Sequence, residues 1–111
     1  MKAVTGMWKI VEMDTWDQDY VELNGPGCLQ LEESGYGKLC FGGVEAQLKW
    51  MPRKKGAGIT FSFDGFDEGD QIKGNGFAEL EGPVLIGFVS FDEGEESGFA
   101  ATKETGEDPS P

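Results

Sequence analysis

The segment ITFSF, residues 59 to 63, alternates strictly, with Ile59, Phe61 and Phe63 on one side and Thr60 and Ser62 on the other. A period of two marks a strand with one buried face. Similar runs recur at roughly ten-residue spacing, each closed by a turn rich in glycine and acid. The chain has 18 glycines to supply the turns and bulges such a pattern needs. The expected fold is therefore all-β: a small up-and-down antiparallel β-barrel of about seven or eight strands, with one short helix after the first strand. A chain of 111 residues makes one domain and can bury roughly two thirds of its extended-chain surface without metal or disulfide support. Residues 1–103 are assigned to that domain. Residues 104–111 are polar, acidic and Pro-bearing and are expected to be a disordered tail.

The first strand is MWKIVEM, 7 to 13. The period then changes, with Asp14 placed to cap a short helix and Trp16, Tyr20 and Leu23 at i, i+4 and i+7, before NGPG at 24 to 27 ends it. Strands follow at 27–32 and 38–41. Gly42-Gly43 is either a two-residue hairpin turn, which gives eight strands and closes a barrel evenly, or a bulge in one longer strand. Both options keep the same face apolar. After a basic loop at 51–58, strands are expected at 59–63, 71–80 and 84–91, and a last one in GFAAT. DGFDEGD reads as a turn. VLIGFVSF, 84 to 91, is apolar throughout, as for a strand covered on both sides or carrying an exposed patch.

The formal net charge of −12 opposes nonspecific binding to nucleic acid or anionic lipid, and favours basic or uncharged partners. No apolar run approaches the ~20 residues of a membrane helix, and MKAVTGMWKI has no apolar signal core, so a cytoplasmic location is expected. Cys28 and Cys40 fall on neighbouring strands. Pairing Leu29 with Phe41 and Leu31 with Leu39 sets Cys40 opposite Gln30 and leaves Cys28 diagonally away, so two inert thiols are expected. Histidine is absent, which removes the commonest general base and metal ligand. No nucleotide motif is present, and no cofactor is expected. Asp64, Asp67, Glu68 and Asp70 form a carboxylate run that is a weak candidate for a hard cation, although its spacing is not that of an EF-hand. The basic cluster KWMPRKK reads as a solvated loop tip.

GMWKI at the opening of a β-rich chain resembles the Gly-x-Trp of the calycin superfamily, which includes lipocalins, fatty-acid-binding proteins and avidins. That likeness implies that Trp8 packs across a barrel end and that Gly6 lets the chain in. Four longer segments, GMWKIVEMDTWDQDYVEL, GKLCFGGVEAQL, FSFDGFDEGD and GNGFAEL, are similar to blocks of a family of small bacterial proteins with no established activity. Those blocks run G-x-W-x-I-x-x-M-x-x-W-D-x-D-Y, F-G-x-V and F-S-W-E-G-x-D-E-x-D, and the likeness spans about residues 6 to 101. Phe63-Asp64 replaces a Trp-Glu pair, and Phe77 stands where that family usually has Trp. The resemblance implies a cytoplasmic barrel and no reaction.

Strand alternation from an inward Trp8 carries Glu12 inward as well, where a carboxylate is costly unless paired or protonated. Trp16 and Tyr20 then cover that barrel mouth. The expected function is a non-catalytic binding module for a small apolar ligand or a protein partner. Trp8, Glu12, Trp16, Tyr20 and Trp50 are the candidate ligand contacts. Two other readings compete: an enzyme using Glu12 or the 64–70 carboxylates as general acid or base, and an acidic mimic of nucleic acid, which needs its acids gathered on one face.

Overall fold

A computed structural model describes residues 4–23, 25–53 and 58–104. Strands form where side chains alternate between core and solvent. The described residues build β1 (Gly6–Met13), β2 (Cys28–Leu31), β3 (Tyr36–Phe41), β4 (Val44–Pro52), β5 (Gly58–Asp67), β6 (Asp70–Glu81), β7 (Val84–Phe91) and β8 (Glu96–Glu104), with one short helix, α1 (Gln18–Val21). Each strand pairs antiparallel with the next, and β8 returns to β1, so the sheet closes into an eight-stranded barrel without an edge. Of the expected tail, Glu104 continues β8 and residues 105–111 lie outside the described residues, as do residues 54–57 of the basic loop. Among the described residues no helix is long and apolar enough to cross a membrane.

Gly42-Gly43 is the hairpin turn. Phe41 pairs with Val44 and Leu39 with Ala46, and Gly42 has φ 57°, which suits the first central position of a type II′ turn. That turn is what makes the strand count even.

Three expectations, about register, a turn and a helix cap, are corrected. Cys28 lies directly opposite Cys40, with Leu29 opposite Leu39. The shift of two residues comes from the β2–β3 turn, which is only Glu33-Ser34-Gly35. Gly35 adopts φ 96° and the Gly35 amide donates to the Glu32 carbonyl, a compact three-residue loop. DGFDEGD is not a loop as a whole. β5 runs on to Asp67, and only Glu68-Gly69, both at positive φ, turn the chain. The helix is capped by Asp17, whose carboxylate accepts from the Tyr20 amide, rather than by Asp14. Val21 enters the core while Leu23 is exposed, because the helix stops after one turn.

The interior is filled by rings laid over glycines. Phe61 faces Gly76, Phe63 faces Gly74 and Phe99 faces Gly87 across neighbouring strands. A Cβ on Gly76 would lie 2.6 Å from the Phe61 ring and overlap the Phe88 carbonyl oxygen; one on Gly87 would lie 2.6 Å from the Phe99 ring. Trp8, Leu29, Leu48 and Leu85 complete the packing, and every buried side-chain polar atom among the described residues is hydrogen-bonded.

Candidate functional site

The five candidate contacts from the sequence occupy three separate places. Trp8 and Trp50 point inward toward the end of the barrel that carries the β2–β3 turn. The Trp8 indole donates to the Val4 carbonyl at 2.8 Å, and the Trp50 indole donates to the Glu32 carbonyl at 2.9 Å. Trp16 and Tyr20 close the opposite end. The Trp16 ring is 5.2 Å from Phe41, 6.1 Å from Phe91 and 6.2 Å from Tyr20. The Gly42 amide donates to the Val21 carbonyl, and the Gly43 amide to the Tyr20 hydroxyl, which ties α1 to the β3–β4 turn. Asp17 and Asp19 face solvent.

Glu12 is the exception to strand alternation, and its expected inward orientation is corrected. The β1–β8 register slips between Ile10, opposite Ala101, and Glu12, opposite Ala100. This bulge turns both Val11 and Glu12 to the outside and restores Met13 to the core. The remaining carboxylates do not converge either. Asp64 stands on the outer face across from Lys73, Glu68 sits in the turn, and Asp70 opens β6 opposite Asp67; Asp64, Glu68 and Asp70 are exposed. Among the described residues no group of three or more His, Cys, Asp or Glu could hold a metal ion. Acids also occupy turns at both ends, Glu32 and Glu33 at one and Asp92, Glu93 and Glu95 at the other, so they share no single face.

The concentration of apolar surface lies on the outer wall of β6, β7 and β8. Phe77 and Phe88 are cross-strand neighbours with stacked rings 6.0 Å apart at 20°. Phe77 is 47% and Ile86 44% exposed. The Arg53 guanidinium sits over the Phe77 ring, 5.7 Å from its centroid. Ile86 pairs with Glu79 on one side and Ala100 on the other, and Ala100 leads to Glu12. The result is a shallow apolar floor bordered by Glu12, Asp14, Glu79 and Glu81. Its sequence signal was the unbroken apolar run 84–91. Alternation within that run sends Leu85, Val89 and Phe91 into the core and leaves Ile86 and Phe88 outside.

A second outer-face feature is the pair Cys28 and Cys40, both half-buried thiols. The Cys40 thiol is pulled below its ordinary value of 9.0, to about 7. A hydrogen bond from Cys28 is the main cause; burial and Glu45 oppose it, and Lys38 assists. Comparison with protein-family models, with curated proteins and with solved structures finds no match for the chain.

Proposed function

We propose that this barrel is a non-catalytic binding module whose partner is a protein, docking on the outer wall of β6–β8. The carrying observation is the stacked Phe77–Phe88 pair beside Ile86, apolar surface held in water by strands whose inner faces are already packed. Contiguous apolar patches rimmed by polar groups are characteristic of interaction sites. The acidic border selects the partner's chemistry: an apolar protrusion flanked by Lys or Arg. A second copy of this chain would set Glu12, Glu79 and Glu81 against their equivalents, so the module is expected to be a monomer. The filled interior favours this reading over a small apolar ligand, and the calycin-like likeness of Gly6 and Trp8 stays part of it with binding moved outside. A reducing, cytoplasmic setting suits the two thiols.

The test is affinity capture with the wild-type chain beside Phe77→Ser/Ile86→Ser. A protein retained by the wild type, lost by the double variant and released by raised salt supports the proposal. Equal capture by a double variant that is still folded defeats it.

A further inference from the structure

The hydrogen-bond pattern of the sheet fixes how Cys28 and Cys40 face each other. The Glu32 amide donates to the Tyr36 carbonyl, so Glu32 and Tyr36 form a hydrogen-bonded pair, and every second pair along β2–β3 does the same. Cys28 and Cys40 are such a pair. The neighbouring ladders agree. The Ile10 amide donates to the Gly27 carbonyl and the Trp50 amide to the Gly35 carbonyl, so Cys28 and Cys40 direct their backbone groups at one another. In this class of pair the Cα atoms stand about 5.5 Å apart, within the range a disulfide spans. The Cβ atoms of opposed strand residues are about 4.5–5.5 Å apart, more than a relaxed disulfide prefers. A bridge can therefore form here with a small adjustment, and it would be reducible rather than permanent.

The surroundings favour exchange. Lys9 is the cross-strand neighbour of Cys28 on β1, and Lys38 lies two residues before Cys40. On a chain of net charge −12 this places two cations beside the thiols. Cys40 also borders two shallow depressions, one lined by Lys38, Gln47, Asp64 and Phe66 and the other by Pro26 and Gly43, with its cross-strand neighbour Glu45 in both, so a small reagent has access past the Glu45 carboxylate, which the two lysines offset.

We propose that Cys28 and Cys40 form a reversible dithiol–disulfide site that exchanges with low-molecular-weight disulfides, Cys40 attacking and Cys28 resolving. The Cys40 thiolate attacks one sulfur of the small disulfide, whose S–S bond breaks and expels one thiolate. Cys28 loses its proton to solvent and attacks the Cys40 sulfur, expelling the second thiolate. The two protein thiols are oxidised by two electrons to a Cys28–Cys40 bridge, and the small disulfide is reduced to two thiols. The depressed Cys40 thiol supplies the nucleophile near neutral pH. The site is independent of the docking wall and stands or falls without it.

The reduced full-length chain is equilibrated with glutathione disulfide, quenched with acid, alkylated and weighed. The wild type should lose two hydrogens per chain, at a rate independent of protein concentration, and regain both thiols in excess reduced glutathione. Cys28→Ser should instead hold one glutathione on Cys40. Alkylation of Cys40 should rise with a midpoint near pH 7 in the wild type. In Cys28→Ala, which lacks the donor, the rate at neutral pH should drop roughly sixfold, since the gain in intrinsic nucleophilicity offsets part of the lost thiolate. Cys28→Ser keeps an O–H donor and should stay near the wild type. Two glutathiones per wild-type chain without a bridge, or a Cys28→Ala profile equal to wild type, would overturn the proposal. Both variants replace Cys28, a half-buried outer-wall residue, and their melting curves verify the fold.

Discussion

Replacing Trp16 by Ala tests whether the α1 segment closes its barrel end by packing. The ring touches Phe41, Phe91 and Tyr20, and the first two belong to the buried core. Trp16 itself is only partly buried, packed against that core. Taking about 150 Å² of apolar area at about 25 cal/mol per Å² gives about 4 kcal/mol. Residual structure in the unfolded chain makes that an upper figure, so about 3 kcal/mol is expected. For a domain near this size that lowers the melting temperature by roughly 12–24 °C. Urea denaturation followed by circular dichroism is a suitable assay, with Trp16→Phe as a second point expected to lose less than half as much. Val21 and the Gly42–Val21 hydrogen bond remain in place, so the change should be a loss of stability and not of fold. A Trp16→Ala chain that unfolds at the wild-type urea midpoint would refute the packing argument and make the ring an exposed surface group.

Gly76→Val should cost about 1–3 kcal/mol or more, because its Cβ meets the Phe88 carbonyl and the Phe61 ring, and a melting curve equal to wild type would contradict the ring-over-glycine core. Glu12→Gln should leave the melting temperature within about 2–4 °C, since surface substitutions are usually within about 0.5 kcal/mol; a larger shift would mean that Glu12 is not on the outer wall. Cys40 also carries a pH signature. Its folded value, about 7, lies below its ordinary 9.0, so between them the unfolded chain holds the proton more tightly. Its stabilising contribution is complete above the unfolded value and is lost as pH falls through the folded one. The wild-type advantage over Cys40→Ala should grow from about pH 6.5 to pH 9.5 in urea midpoints, and a shrinking advantage would reverse the assigned cause. Sedimentation of the wild type at rising concentration should show a monomer; a dimer abolished by Phe77→Ser would identify the outer wall as a self-association face.

Much of the architecture was legible in local pattern. The alternation of Ile59, Phe61 and Phe63, and that of Ile72, Gly74, Gly76, Ala78 and Leu80, survives intact in β5 and β6, because a closed barrel gives each strand one dry face and one wet one. The aromatic cap was legible too, since Trp16 and Tyr20 share a side over one barrel end. The positions that resisted were those where pairing overrides pattern. Glu12 faces out because one extra residue, Val11, sits on β1 between Ile10 and Glu12, whose β8 partners Ala101 and Ala100 are adjacent, and a bulge leaves no mark on the apolar sequence it interrupts.

The amino-acid sequence by itself determined an all-β chain, its turns, its buried face and the absence of histidine chemistry, all of which depend on residues close together along the chain. Tertiary structure alone decided that Cys28 meets Cys40, that Trp8 and Trp50 end up opposite Trp16 and Tyr20, and that Phe77 stacks on Phe88 outside the barrel. Those relations depend on register between strands. A shift of two residues keeps every apolar side chain on the same face, so alternation cannot choose between registers. The choice falls to turn length, to the bulge, and to which ring finds a glycine across the sheet.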